Sequence, residues 1–369
     1  MSATAERRLL PQRNFEPGTP GALAIEWLRR NLFGSLPNTL LTLVVVAVAA
    51  WLLPPLLRWA VTQASLFGSD RADCTGEGAC WTFIRVRLPL FFYGRYPASG
   101  YWRVDLAGVL LVVFGMPVLR EQSRHRWLWL LLLLTVFPAL ASLLLWGGVF
   151  GLDFVDTTLW GGLMLDVIIS FVAVAGSLPL GILLALGRRS QLPVVRLLSI
   201  GYIELWRGVP LLTVLFMSAV LAPLFLPQGV SIDRLLRAMA ALVLFNAAYM
   251  AEVVRGGLQG VDAGQEEAAY SLGLRWWQVQ AFVVLPQALR IVVPGIINTV
   301  VDLFKDTTLV TIIGLFDLLG AVELALKDPA WLGFAKEGYL FAAMVFFVCC
   351  YAMSAYGRSV ERRLAKGKA

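Results

Sequence analysis

An all-α integral membrane protein of about eight transmembrane helices is the fold this sequence predicts, on three observations. The chain is 59% hydrophobic and only 15% charged, against about 45–50% and about a quarter in soluble domains. Its mean hydropathy is +0.74. Apolar runs recur along it at lengths near the roughly 17–25 helical residues that cross a hydrocarbon core about 30 Å thick.

The expected spans follow in chain order. The first, 39–57, is an uncharged run. The second, 104–119, is short and carries Asp105. The third, 127–147, is leucine-rich and starts after Arg126. The fourth, 163–187, stops at Arg188 and Arg189. The fifth, 210–226, opens on Pro210, and the sixth, 238–254, stops at Arg255. The seventh, 291–313, follows Arg290, and the eighth, 338–356, precedes Arg358. Pro179, Pro210 and Pro294 are expected to kink or start spans, which neighbouring helices tolerate by re-satisfying the backbone. The polar N-terminal stretch runs to about Pro37 with no small-residue cleavage site, so no removable signal is expected.

Lys and Arg mark the inner ends of spans. Arg7, Arg8, Arg13, Arg29 and Arg30 precede the first. Arg120, Arg124 and Arg126 lie between the second and third, and Arg188, Arg189, Arg196 and Arg207 between the fourth and fifth. Arg255, Arg275 and Arg290 follow the sixth, and Arg358, Arg362, Arg363, Lys366 and Lys368 follow the last. The opposite loop at 149–159 has none of them and carries Asp153 and Asp156. Both termini are therefore expected in the cytoplasm. The same distribution explains the net charge of +7 without nucleic acid.

The expected organisation is a cytoplasmic tail at 1–38 and a three-span extension at 39–159 with a large external loop at 58–103. A five-span core follows at 160–357 with an internal loop at 255–290, then a basic tail at 358–369. The external loop holds Arg71, Arg85, Arg87, Arg95 and Arg103 against the charge rule. Cys74 and Cys80 flank Gly76 and Gly78 there, either joined as a disulfide in an oxidising compartment or left as two thiols. Cys349 and Cys350 sit in the last span as packing residues. A mixed-polarity stretch at 316–327 reads as a short interfacial helix.

Nothing in the sequence supports catalysis by this chain alone. His125 is its one histidine and lies in a basic loop. No metal-ligand spacing occurs, no phosphate loop occurs (Gly367-Lys368 is the only Gly-Lys pair), and no nucleophile has a base at a recognisable spacing. Catalytic and metal residues are expected to be none, with no cofactor held by the chain.

The internal segment from Asp262 to Ile291 has a definite logic. Ala268 and Ala269 let a partner approach closely, and Asp262, Glu266 and Glu267 offer charge. Gly273 supplies a left-handed turn between two short helices. Trp276, Trp277, Val279, Phe282 and Val283 provide an apolar face, and Pro286 limits how far the second helix continues unbent.

The seventh span carries Asp302, Lys305 and Asp306. At roughly 2.5–3.5 kcal/mol each they would cost about 7–10 kcal/mol in lipid, while about ten apolar neighbours return only about 3–6 kcal/mol. These side chains must face protein or an aqueous cavity. At 100° per residue Asn298, Asp302 and Lys305 share one face, with Asp306 at its edge. Such a face suits a zwitterion, or it holds spans together through an Asp302–Lys305 or Lys305–Asp306 pair. Glu204 with Arg207, and Glu252 with Arg255, are i,i+3 pairs at inner span ends, fit for gating or for anchoring.

Glu267-Ala268-Ala269, three residues, Gly273, nine residues, Val283, one residue, Leu285-Pro286 resembles the cytoplasmic coupling motif of ABC importer permeases, with Val283 where isoleucine is usual. The stretches at 202–212, 248–257, Gly264-Gln265 and Lys305-Asp306-Thr307-Thr308-Leu309 are similar to the polar amino-acid uptake branch of that family. The resemblance spans about 160–356. The additional three spans and the loop with Cys74, Cys80 and residues 91–96 resemble the M-type permease subunit of general L-amino-acid importers.

The resemblance implies a five-helix permease core and a transport role. Gly264, Gln265, Glu266, Glu267, Ala268, Ala269, Gly273, Leu285 and Pro286 would couple to an ATPase, with Glu267 pairing a basic group there. Asn298, Asp302, Lys305, Asp306, Thr307 and Thr308 would line the substrate path. Implied partners are a second, related permease, two copies of a cytoplasmic ATPase that holds ATP and Mg, and a periplasmic amino-acid-binding protein. An ion-coupled secondary transporter using Asp302 and Asp306, or a scaffold without flux, are the rival readings.

Overall fold

The computed structural model describes residues 20–366 except Thr75, Glu121, Gln122, Leu226 and Gln228. Arg7, Arg8, Arg13, Gly367 and Lys368 lie outside the described residues. Among the described residues, seven helices are long and apolar enough to cross a membrane, or eight if one bent pair counts as a single span.

Two compact units form among the described residues, one within 20–67 and 72–80 and the other within 68–71 and 81–366. In the first, α1 (Pro20–Leu32) leads to α2 (Leu36–Leu57), where Ser35 caps the helix by accepting from the Asn38 amide. Pro54 and Pro55 remove two backbone donors, and the helix ends in a wider π turn at Arg58–Thr62. The Ala79 amide donates to the Trp59 carbonyl (2.8 Å), bringing Cys80 back beside this end. Cys74 and Cys80 are joined as a disulfide, with Cα atoms 5.6 Å apart.

The second unit contains α3 (Trp81–Tyr93), α4 (Tyr101–Leu119), α5 (Arg126–Trp146), α6 (Gly162–Arg188), α7 (Pro193–Gly208), α8 (Leu211–Phe216), α9 (Arg234–Gln259), α10 (Ala263–Ser271), α11 (Trp276–Gln278), α12 (Leu285–Asp306), α13 (Leu318–Leu326) and α14 (Ala335–Lys366). Its centre is α6 packed on α9. Ala173, Ser177, Gly181 and Ala185 recur every four residues on the buried side of α6, and Gly181 meets Ala247, Met250 and Ala251 of α9. Small residues in such a row let transmembrane backbones approach. A Cβ on Gly181 would stand 2.6 Å from the Met250 Cβ.

Three expectations change. The fifth span is not a straight helix over 210–226. Instead α7 and the helical run Leu211–Phe225 meet at a 99° bend. Val209 precedes Pro210 and is extended (φ −108°, ψ 136°), as the proline ring requires of its predecessor. The segment at 58–103, expected as an external loop, contains α3, which buries Phe83 and Phe91 against Trp331, Phe334 and Phe341. Residues expected at an interface form α13, which buries Leu318, Ala321, Val322 and Ala325 in the unit's interior.

Candidate functional site

Beyond α9 the chain turns at Gly260, and Asp262 caps α10 by accepting from the Gly264 amide (2.7 Å). Gly273 takes the expected left-handed conformation (φ +78°) with open space around it. The chain then enters α11, a π turn at Val279–Val284, and α12. Pro286 follows a break in the regular α pattern, the π turn at Val279–Val284. It stands in the first turn of α12, where its missing N–H is best tolerated.

The acidic residues of this segment divide. Asp262 is engaged as the cap, and Glu266 is a brace within the chain. Its carboxylate accepts from Arg189 (3.0 Å) at the end of α6 and from the nearly fully buried Gln280 (2.8 Å). Glu267 is exposed and makes no ion pair among the described residues. The alanines divide too, since Ala269 packs into the core with Val279, Val284 and Ala288 while Ala268 is exposed. Leu272, Trp277 and Phe282 remain exposed. Gly264, Gln265 and Pro286 are exposed and Leu285 is half-buried. The result is a braced plug with a carboxylate and an apolar patch on its outer side.

Next to it, Glu252 of α9 gathers three arginines. Arg188 lies at 2.7 Å, Arg255 at 2.7 Å and Arg207 at 3.7 Å. The expected Glu204–Arg207 pair is absent from the ion pairs of the described residues. Glu204 faces Arg188 instead (3.5 Å), because the crossing of α7 over α6 and α9 outweighs its own i,i+3 spacing. The cluster ties together the ends of α6, α7 and α9 beside α10.

On α12, Lys305 pairs with Asp302 (2.8 Å), and both side chains are more than half exposed. Asn298 is exposed on the same face and Asp306 is half-buried. Thr308 is half-buried and donates to the Lys305 carbonyl (2.8 Å). Thr307 does not join this face. It is fully buried and donates to Asp166 of α6 (2.6 Å). The helix tightens to a 3-10 turn at Thr307–Ile313, which rotates Thr307 inward.

That contact belongs to a site the sequence reading did not find. Asp166 is fully buried, and besides Thr307 it accepts from the Leu318 amide (3.0 Å). Asp317, also fully buried, accepts from the Thr311 hydroxyl and from the amides of Leu319 (3.2 Å) and Gly320 (2.9 Å), so it caps α13. Burial raises the Asp317 carboxyl above the usual range. A lone aspartate inside the fourth apolar run was the available signal.

With this geometry in place, likeness to known proteins decides the family. The family of binding-protein-dependent transport system inner membrane components matches residues 177–366. The inner membrane amino-acid ABC transporter permease protein YhdY of Escherichia coli K12 is 51% identical over 94% of this chain and 94% of its own length. The chain belongs to the ABC transporter permeases of this family.

The glutamate/glutamine/aspartate/asparagine transport system permease protein BztC of Rhodobacter capsulatus is 37% identical to the permease, over 93% of this chain and 94% of its own length. The probable glutamine ABC transporter permease protein GlnP of Bacillus subtilis is 32% identical, covering 93% of its own length but 56% of this chain. Relatives of the shorter kind therefore lack a counterpart for a large part of the permease. Membership makes it a multi-pass transport subunit of a binding-protein-dependent system rather than an enzyme, with ATP hydrolysis in a partner subunit. The ion-coupled secondary transporter and the scaffold are set aside by the same assignment.

Proposed function

We propose that the permease imports L-amino acids across a bacterial inner membrane, with both termini cytoplasmic. It would work beside a second, related permease, two copies of a cytoplasmic ATPase holding ATP and Mg, and a periplasmic amino-acid-binding protein. The observation that carries this reading is likeness over more than nine-tenths of the chain to two permeases whose names specify amino acids. The division into an extension at 39–159 and a core at 160–357 is part of the proposal.

In this reading α10 and the turn at Gly273 seat on the ATPase. Glu267 meets a basic group, and Leu272, Trp277 and Phe282 fill an apolar groove. The brace from Glu266 to Arg189 and Gln280 passes the ATPase's movement to α6 and α12. Asn298, Asp302, Lys305 and Asp306 look toward the second permease and the substrate path, because an exposed ion pair on a spanning helix is too costly against lipid.

Uptake by the reconstituted transporter tests the proposal, with ATP present or absent and with or without an uncoupler. The expected result is ATP-dependent uptake of amino acids that survives the uncoupler. Glu267→Lys should lower ATPase binding and uptake together. Lys305→Ala should reduce uptake with the ATPase still bound, whereas unchanged affinity and turnover would make the Asp302–Lys305 pair purely structural.

A further inference from the structure

A cavity of about 640 Å³ opens between α4, α5, the first half of α6 and the start of α9. That size lies in the range of about 300–1,000 Å³ typical of small-molecule sites. Its wall is almost wholly apolar, with Leu111, Phe137, Met164, Phe171 and Met239 among the lining residues. No Lys, Arg or His lines it, and its acidic residues are Asp105 and Asp233. Tyr93 donates to Asp105 (2.8 Å) and Thr157 to Asp233 (2.5 Å), which fixes both carboxylates. Both aspartates are exposed and neither makes an ion pair among the described residues.

The depth of the cavity follows from the chain direction. From the cavity, α6 and α9 run to Arg188, Arg189 and Glu252 beside the coupling segment. Asp105 lies in the first turns of α4, and Asp233 caps the start of α9. The cavity therefore occupies the half of the membrane away from the coupling segment, with its two carboxylates at the outer boundary. Leu236 of the lining is exposed, as are Val109 and Val112 on α4.

We propose that this cavity is a phospholipid site selective for a primary-ammonium headgroup, with an acyl chain among α4, α5 and α6 and the ammonium at Asp105 and Asp233. Only a molecule with a long apolar part and a cationic end satisfies both features of the wall. A headgroup whose phosphodiester charge is not balanced by an ammonium would meet two carboxylates with no basic residue in the lining, and like charges at one site repel. A lipid is the occupant because the cavity opens where hydrocarbon chains end and headgroups begin.

Native mass spectrometry of the assembled transporter tests this, after exchange into an equimolar mixture of phosphatidylethanolamine and phosphatidylglycerol. Wild type should retain phosphatidylethanolamine in preference. Asp105→Asn with Asp233→Asn keeps the shape and the helix cap, and should reduce that preference roughly two- to fivefold, the factor an exposed ion pair supplies. Gly108→Phe should lower retention of both lipids, because Gly108 lines the cavity and a side chain built on it meets nothing within 4 Å. Equal retention of the two lipids by wild type would overturn the proposal. So would an unchanged preference in the double aspartate variant, or cross-linking from position 108 to a protein segment instead of lipid.

Discussion

Glu266 and Glu267 are neighbours with opposite expected roles, and Glu266→Ala separates them. In the native chain one Glu266 oxygen accepts from Arg189 and the other from Gln280. Gln280 is only 2% exposed, so truncating Glu266 leaves its amide donor in the interior without that acceptor. An unsatisfied buried donor costs about 1–3 kcal/mol. The Arg189 pair is about one-third exposed on its arginine side and adds at most about 0.5 kcal/mol. The expected loss is therefore about 2 kcal/mol, read by denaturant unfolding of the solubilised chain. Glu266→Ala combined with Gln280→Leu removes both partners and should recover much of it, because an apolar pair needs no hydrogen bond. Glu267→Ala should change stability by less than about 0.5 kcal/mol, as exposed substitutions do, while weakening ATPase association. If Glu266→Ala unfolds at the wild-type midpoint, or the double variant is no more stable than the single one, the brace is not what holds the segment.

Glu252→Gln should destabilise the solubilised chain by about 2 kcal/mol, since its two close arginine pairs are partly buried, whereas Glu204→Gln should cost under about 0.5 kcal/mol; equal losses would remove Glu252 from the centre of the cluster. Gly181→Ala should cost about 1–3 kcal/mol by forcing α6 off α9, and proper assembly at wild-type stability would refute the close approach seen at Met250. Burial raises the Asp317 carboxyl in the fold. Between its unfolded value of about 3.9 and that raised value the folded chain holds the extra proton, so stability should fall as pH rises through this window. Asp317→Asn, which cannot titrate, should flatten that slope in pH-dependent unfolding.

Most of the spans were legible because a bilayer imposes its thickness on sequence as an uncharged run. The turn at Gly273 was legible for a local reason as well, glycine being the residue that adopts positive φ without strain. Helical period alone puts Asn298, Asp302 and Lys305 on one face, and all three are exposed. The bend between α7 and α8 was written in Val209-Pro210, but α7 is too amphipathic to register as half of a span. The helix α3 was hidden because its aromatic partners Trp331, Phe334 and Phe341 lie more than two hundred residues downstream.

By itself, then, the sequence determined a helical membrane protein with a polar segment turned at Gly273 between two spans, since hydropathy, charge and local turn chemistry act over a few residues. The tertiary structure alone decided which polar groups the chain keeps for itself. Glu266 is engaged because folding carries Arg189 and Gln280 to it, and Thr307 is buried because Asp166 lies across from it. Those partners are distant in sequence, and a charge alone carries no mark of what will stand opposite.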